Sequence, residues 1–592
     1  MSESARSQLS SRMAGLNPFK AKSRREDDED DVGEEIDGNS YAGGGHSALP
    51  INITQHPLRV SHALRSFLCH KGLLGDDDLG DSLSPSLITL LNKPIVQPPA
   101  HILDRSHPLP EYFISSSHNT YLMAHQLFGA SSAGAYETTL KAGARCIEID
   151  AWDNTDDPTE PKVTHGYTLV SNIPFRAVCE TVRDVIDHEA AAPVVQGYAP
   201  APILVSLENH CDKDGQLRLV QIMKDVWGER LLSAPVRRKG HEEQEGGEPI
   251  RLADLGSKIA VIVEYHLPDE PEDSSSSSSS DNSDEEKQAR EEYKARKKAT
   301  PPSIIIPELA ELGVYAQSVK PRDDSWYIEG KIRDGPLEHH LINVSESGLA
   351  SHMEDHAAEI ARHNARHLMR VYPKGTRVSS RNLSPIPFWA IGAQICALNW
   401  QTFGASMQLN DALFAGTAGY VLKPPALRHG GSGTLSAPGA RRKKLRLHVA
   451  GATDVPLPTG RDDDDLKPYL TCTLLQPGSG TELIKVKRKT KAYHRRNALT
   501  MRLLGPSGVA GENPVQKDPV WDEVLEWEFD DNEMVFVRML IKSEVSFSSN
   551  PVLAVAAVRL VYVQPGWRFV RMLDLRGHET TCSLLVNFEV QD

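Results

Sequence analysis

The chain has 592 residues, 39% of them hydrophobic, and carries 80 acidic against 65 basic side chains for a formal charge of −15. That length allows three or four domains, the acid excess argues against a nucleic-acid binder, and the absence of any run of about 18 apolar residues argues against a transmembrane helix. Seven cysteines, far apart and without a CxxC, point to reduced thiols rather than a disulfide framework or a zinc site.

The polar start MSESARSQLSSRMAG has no apolar core behind a basic cap, so no secretory signal is expected and the compartment reads as cytoplasmic. Residues 1–50, with the acidic run Glu26–Glu35, read as a disordered tail. Residues 51–106 read as a short helical segment, at most an EF-hand remnant. Candidate helices lie at Leu58–Gly72 and Leu83–Leu91, while Asp76–Asp81 lacks the ligand spacing and closing Glu of a calcium loop.

From His107 short apolar runs alternate with amphipathic stretches. Strands are predicted at Ala144–Ile149, Ile203–Leu207, Ile259–Glu264, Val314–Gln317 and Ile395–Leu398. Helices are predicted at Ala133–Ala142, Ile173–His188, Gln216–Trp227 and Ser347–His367. Alternation over about 300 residues predicts a parallel α/β fold, a (β/α)8 TIM-type barrel by length. It is split: residues 107–266 and 304–428 flank 267–303, which holds the tract Ser274–Ser280 and an acidic block. The plain reading of that stretch is a flexible linker; the sharper one is an acidic plug against anionic membranes. Residues 429–442 are a second linker. Residues 443–592 read as an all-β sandwich, with strands at Leu445–Val449, Tyr469–Leu474, Val520–Phe529, Phe536–Ile541, Ala554–Tyr562 and Ser583–Phe588.

The chemistry-bearing residues sit where barrel strands end. They are His118 and Asn119 after Tyr112-Phe113-Ile114, Glu148 and Asp150 in CIEIDAWD, His165 in THG, and Glu208 in SLENH. Glu148 and Asp150 are two apart, so an extended chain turns both to one face. Strand C-termini of a parallel barrel share one mouth, so two histidines and three carboxylates converge there. Hard oxygen donors without a thiolate favour Ca²⁺ or Mg²⁺. Two histidines beside such a cation suit phosphoryl transfer. A lone histidine is more often structural, and an isolated Glu/Asp pair ordinarily faces solvent; the specificity lies in the ordered combination.

SSSHNTY, CIEIDAWD, THGYTL and SLENH, in that order, resemble the first catalytic half of eukaryotic phosphoinositide-specific phospholipase C. ELGVYAQ, INVSES, HLMRVYPKGTRVSSRNLSPIPFW, GAQICALNWQT and GYVLKPPALR resemble its second half. The final 150 residues resemble the C2 domain that follows in this family, with DPVWDE in place of NPxWxE. The 106 residues ahead of His107 are too few for the pleckstrin-homology domain and full EF-hand lobe of animal members, so a delta-like enzyme without the former is expected.

The resemblance implies a calcium-dependent enzyme cleaving phosphatidylinositol or its phosphates to diacylglycerol and an inositol phosphate through a cyclic intermediate. It makes His118 the donor to the phosphoryl oxygens and His165 the general acid. Asn119, Glu148, Asp150 and Glu208 become Ca²⁺ ligands, with Glu148 or Glu208 taking the proton of the attacking hydroxyl. Arg370 and Tyr372 would meet the 4-phosphate and the inositol ring, with Asn343 standing where the family has a phosphate-contacting serine. Where the family has two lysines, this sequence has Ile262 and Glu264, which predicts weak preference for phosphorylated headgroups. Membrane phosphoinositides on an anionic lipid surface are the implied partners, met by a cytoplasmic, peripherally membrane-associated protein.

The C2-like domain departs from its calcium-binding relatives: DPY reads Lys467-Pro468-Tyr469, and the later acidic loop reads Lys542-Ser543-Glu544-Val545-Ser546. A mainly structural domain is expected, with Asp462–Asp465 either a source of some ligands or only a solvated run. The basic sets Arg441–Lys444 and Lys485–Arg488 are candidates to meet anionic lipid or simply solvated faces. A non-catalytic phospholipase-like scaffold is the alternative, against which stand the intact His118, Asn119, Glu148, Asp150, His165 and Glu208. Another barrel phosphodiesterase, acting on glycerophosphodiesters, is disfavoured by the split barrel and C-terminal C2-like domain.

Overall fold

A computed structural model describes residues 58–80, 82–123, 131–165, 171–192, 200–237, 249–265, 304–321, 323–328, 339–374, 382–435, 441–458, 460, 462–496, 513–544 and 551–592. The expected acidic tail and serine-rich linker lie outside the described residues, as does THGYTL beyond His165.

Eight parallel strands build the first unit. They are β1 (Tyr112–Ile114), β2 (Cys146–Trp152), β3 (Ile203–Asn209), β4 (Ile259–Glu264), β5 (Gln317–Val319), β6 (His340–Ser345), β7 (Leu368–Tyr372) and β8 (Ile395–Cys396). They are hydrogen-bonded in the order β1-β8-β7-β6-β5-β4-β3-β2. A parallel bridge from Ser116, just past β1, to Cys146 of β2 brings the two ends of the series together as a barrel. The antiparallel β9 (Tyr420–Leu422) runs along the outer side of β1.

Alternation along β2 sets the layout. Ile147, Ile149 and Ala151 pack outward into the cluster holding Val178, Val182 and Ile186 of the helix Phe175–Ala191. Cys146, Glu148 and Asp150 face the lumen. Its floor is an apolar plug of Ile114, Cys146, Leu204, Leu341, Leu368 and Ile395. Above it the register aligns Glu148 with Ser206, Asp150 with Glu208, and Asn343 with Arg370.

The strand expected at Val314–Gln317 lies instead at Gln317–Val319, because pairing with β6 begins at Gln317–His340. The preceding Tyr315 and Ala316 are spent on the apolar floor.

The second unit is an eight-stranded antiparallel sheet folded as a C2-like sandwich. Its strands are β10 (Arg442–Thr453), β11 (Pro468–Pro477), β12 (Leu483–Lys489), β13 (Val520–Asp530), β14 (Phe536–Ser543), β15 (Val552–Arg559), β16 (Gly566–Leu573) and β17 (Glu579–Gln591). Two of these, β12 and β16, were not expected from sequence. β12 carries Lys485, Lys487, Arg488 and Lys489, all exposed, on an edge strand. Charge there discourages edge-to-edge pairing and masks the β pattern.

The barrel and the sandwich share one apolar cluster that joins Trp389, Met407 and Leu413 to Leu475, Phe536 and Leu540. Arg538 Nε donates to Gln408 Oε1 at 2.6 Å and the Tyr562 hydroxyl to Leu413 O at 2.9 Å across the same contact. The helices His62–His70 and Pro85–Leu91 lie against the sandwich: Leu64, Phe67 and Leu87 share a cluster with Ala450, Phe569 and Leu585. Arg59 pins that segment, its Nη2 lying 2.7 Å from Asp454 Oδ1 and 2.5 Å from Asp518 Oδ1.

Of the basic sets, Arg442, Lys443 and Lys444 are paired with Glu528, Asp531 and Glu526 at 3.3, 2.9 and 2.9 Å. Asp463 is not merely solvated, since its Oδ1 accepts the Lys517 N–H at 3.0 Å.

Candidate active site

The mouth is assembled from the C-terminal ends of the strands, where a parallel barrel gathers its loops. After β1 the chain passes through Ser115–Thr120. The His118 N–H donates to Leu398 O at 2.8 Å, fixing that segment against the residues after β8. Asn119 then takes a left-handed φ of 47°, which asparagine tolerates better than most side chains. The turn aims its N–H at Glu148 Oε2, 2.7 Å away. Thr120 Oγ1 accepts the Glu148 N–H at 3.0 Å, so the SSSHNTY loop is bonded to β2 at both backbone and side chain.

Glu148, Asp150 and Glu208 bring carboxylate oxygens within 4.8 Å of one another. Glu148 and Asp150 are 2% and 5% exposed. Burial first, then the charges of Glu208 and Glu148, push the Asp150 carboxyl well above the ordinary carboxylate range. Its Oδ1 is buried and meets no hydrogen-bond partner among the described residues. Asp150 Oδ2 lies 2.6 Å from the Tyr121 hydroxyl, which is also 3.2 Å from Asn119 Oδ1. Crowded carboxylates, an orphaned buried oxygen and an amide oxygen alongside fit a hard divalent cation, which neutralises the repulsion and fills the orphan's valence.

His118 sits at the edge of this cluster, its Nε2 4.0 Å from Glu148 Oε2. Its Nδ1 is 2.8 Å from Asn399 Oδ1. Asn399 is itself held by Asn382, whose Oδ1 accepts the Asn399 N–H at 2.6 Å and whose Nδ2 donates to Asn399 O at 2.9 Å. An amide oxygen on Nδ1 fixes the proton there and turns Nε2 toward the mouth.

His165 reaches the same rim by a different route. Val163 pairs with Ala151 of β2, and the Thr164 N–H donates to Asp150 O at 3.3 Å. The half-buried His165 follows directly.

Glu208 Oε1 is 3.2 Å from His210 Nε2, and His210 is stacked on Trp152 with ring centroids 4.0 Å apart.

Arg370 is 3% exposed. Its Nη2 donates to Glu148 Oε1 at 2.5 Å and its Nη1 to Asn343 Oδ1 at 3.1 Å. Burial works against its charge, but Glu148 beside it holds the guanidinium firmly protonated. Tyr372 lies under it, 5.6 Å from guanidinium carbon to ring centroid. Thus Arg370, Asn343 and Tyr372 form one group on β6 and β7, facing Glu148 across the lumen. Ile262 and Glu264 share the lumen face of β4. Ile262 is 1% exposed within the apolar floor, and the half-buried Glu264 pairs in register with Ser318.

Tyr121, Asn399 and His210 were not singled out from sequence. Each lies inside a motif already noted: SSSHNTY, GAQICALNWQT and SLENH. Their roles depend on which neighbour they touch, and spacing does not give that.

Comparison with known proteins agrees with this geometry. Residues 105–265 match the phosphatidylinositol-specific phospholipase C X domain and residues 309–426 its Y domain. The chain is 30% identical over 504 residues to 1-phosphatidylinositol 4,5-bisphosphate phosphodiesterase delta-4 of Xenopus laevis, covering 83% of this chain and 61% of that protein. It is also 30% identical to 1-phosphatidylinositol 4,5-bisphosphate phosphodiesterase 1 of Candida albicans, over 85% and 49% of the two chains. Among solved structures, PLC21 of L. pealei superposes with a TM-score of 0.64 at 25% identity, covering 84% of this chain and 58% of that one. The chain therefore spans about half to three-fifths of the length of these relatives. Among the described residues, no helix is long and apolar enough to cross a membrane.

Proposed function

The chain belongs to the phosphatidylinositol-specific phospholipase C family, and from that premise we propose that it hydrolyses membrane phosphoinositides to diacylglycerol and inositol phosphate with Ca²⁺ as cofactor. The observation that carries the reading is the convergence of Glu148, Asp150 and Glu208 within 4.8 Å, beside Asn119 and with His118 Nε2 4.0 Å from Glu148.

Asn119, Glu148, Asp150 and Glu208 would hold the ion. A bound Ca²⁺ supplies charge neutralisation at the phosphate and lowers the pKa of the inositol 2-hydroxyl. Glu148 or Glu208 accepts the proton of that hydroxyl as its oxygen attacks phosphorus. His118, with Nδ1–H on Asn399, donates through Nε2–H to a non-bridging phosphoryl oxygen as charge builds there. His165 delivers a proton to the departing diacylglycerol oxygen. The P–O bond to diacylglycerol breaks as the bond to the 2-oxygen forms, leaving a cyclic inositol phosphate. Water then opens the ring, the same groups acting in reverse: His165 takes the water proton and a carboxyl returns one to the 2-oxygen.

Recognition of the headgroup falls to Arg370, Asn343 and Tyr372. Arg370 offers a planar fork to a phosphate, but Glu148 and Asn343 already engage it. The β4 wall offers that phosphate no cation: Ile262 belongs to the apolar floor below it and the half-buried Glu264 is anionic. A wall of that kind gives weak discrimination between phosphatidylinositol and its bisphosphate.

The test is hydrolysis of each lipid in mixed micelles by the purified chain, with calcium or with chelator. Release of inositol phosphate only with calcium is expected; no release from any phosphoinositide leaves the scaffold reading.

A further inference from the structure

The end of the barrel opposite the mouth carries a cleft of about 760 Å³ lined by His107, Glu111, Arg428, His429, Gly430 and Gly431, among others. These residues lie at the strand N-termini: Glu111 directly precedes β1, and Arg428–Gly431 follow the antiparallel β9. None belongs to the constellation at the mouth.

Its charges are unevenly committed. Glu111 is 5% exposed, and both its oxygens are used: Oε1 accepts the His429 N–H at 3.0 Å and Oε2 lies 2.9 Å from His107 Nδ1. Arg428 is different. Its Nε is buried and meets no hydrogen-bond partner among the described residues. Asp104 lies close enough to sense its charge without forming a hydrogen bond to it. A second guanidinium is joined to the lining through His429, whose Nε2 lies 3.1 Å from Arg366 Nη2.

The wall beside Arg428 is rigid. Gly431 donates its N–H to Arg428 O at 2.9 Å, and a Cβ there would lie 2.4 Å from Pro425 O and 2.5 Å from Ala426 O. Gly430 has a φ of +79°, a conformation side chains other than glycine rarely adopt. The loop therefore fixes the backbone that carries Arg428 beside a concave, solvent-reached surface.

The orphaned Nε is shut off from solvent, so a ligand in the cleft meets the Nη edge of the guanidinium. A guanidinium fork is matched by a tetrahedral oxyanion in bidentate geometry. With Glu111 satisfied by His107 and His429, the uncommitted charge in the cleft is positive. We propose that this closed-end cleft binds a soluble phosphate or phosphomonoester, with Arg428 as the principal contact and Arg366 and His107 flanking it. The position, at the opposite end of the barrel from the mouth, selects a water-borne anion rather than a lipid headgroup.

The experiment is calorimetric titration of the full chain with inorganic phosphate and, separately, inositol 1-phosphate, at constant ionic strength set with chloride. Anionic phosphatidylserine vesicles form a third arm. The expected result is saturable binding of the soluble phosphates, weakened at least about tenfold by Arg428→Gln, a loss on the scale of one charge-assisted hydrogen bond. Hydrolysis of lipid by Arg428→Gln in phosphate-free buffer should match the parent. Arg428→Lys, which keeps the charge but not the fork, should bind several-fold more weakly than the parent and decides the case if the Gln variant does not fold. Absence of saturable binding, or binding that both variants leave intact, overturns the assignment. Vesicle binding that Arg428→Gln abolishes while soluble phosphates fail to bind would make the site a lipid site and equally overturn it.

Discussion

Arg370 Nη2 and Glu148 Oε1 lie 2.5 Å apart inside the barrel, with side chains 4% and 3% exposed. The pair joins β7, in the region matching the Y domain, to β2, in the region matching the X domain. It also couples the residue assigned to the headgroup with a residue assigned to the cation.

Breaking a buried pair from one side leaves an uncompensated charge, worth about 3–5 kcal/mol. Arg370→Met is therefore expected to lower the unfolding free energy by about 3 kcal/mol in chelator. Arg370→Met with Glu148→Gln should recover a large part of that loss. Chemical denaturation of the four proteins of this cycle checks it; strictly additive losses would mean that the pair is not coupled.

The histidines should fail through chemistry rather than folding. His118→Ala and His165→Ala are each expected to reduce turnover by at least about 10²-fold, with circular dichroism unchanged. Asn399→Ala, which frees His118 Nδ1, should give a smaller loss and a shifted pH–rate profile. Near-parent rates for both histidine variants would remove the proposed mechanism.

Much of this site was legible in the sequence. The two-residue spacing of Glu148 and Asp150 forces a shared face on any strand, and that face is the lumen because Ile147, Ile149 and Ala151 need the helices outside. The parallel register then sets Glu208 beside Asp150. What stayed hidden were partnerships across the barrel. That Arg370 meets Glu148, and Tyr121 meets Asp150, follows from closure of the sheet rather than from any local pattern. β12 stayed hidden because an exposed edge strand has no buried face to impose alternation, and its lysines read as a charge run.

The β4 wall makes the headgroup testable. Phosphatidylinositol is expected to be hydrolysed nearly as well as its 4,5-bisphosphate, and Ile262→Lys with Glu264→Lys should shift preference to the bisphosphate by at least about tenfold, as charge-assisted contacts allow. Ile262 lies in the apolar floor, so Glu264→Lys alone serves as the milder variant. Competition between both lipids in one vesicle reads the ratio directly. A parent enzyme that already prefers the bisphosphate a hundredfold would show that other basic groups set the choice.

Acid stability should be governed partly by two histidines remote from the mouth, His363 and His367, which pack against His340. His340 Nε2 and His363 Nε2 are 2.9 Å apart, and His367 stacks on His340 at 3.9 Å between centroids. Burial, then neighbouring His340, pulls His363 down to about 3 and His367 to about 2. The unfolded chain takes up protons near the ordinary value of about 6.5 while the folded chain does not. Stability should therefore be flat above that pH and fall on acidification below it, by up to about 1.4 kcal/mol per pH unit per histidine, down toward pH 3. His367→Gln should flatten the slope in denaturation curves between pH 6.5 and 4.5; an unchanged slope would assign acid sensitivity to other groups.

Glu148, Asp150 and Glu208 are proposed to form a calcium site that drives phosphoinositide cleavage. The most direct measurement is the rate of inositol phosphate release from mixed micelles as free calcium is titrated from chelator upward, for the parent and for Asp150→Asn, with melting temperature followed in parallel. No turnover in chelator, saturable activation by calcium, and a calcium-induced rise in melting temperature are expected. In Asp150→Asn both responses should move to higher calcium together, because the ion relieves the repulsion among the carboxylates. Turnover that persists unchanged in chelator, or calcium responses identical in the two proteins, would contradict the proposed calcium site.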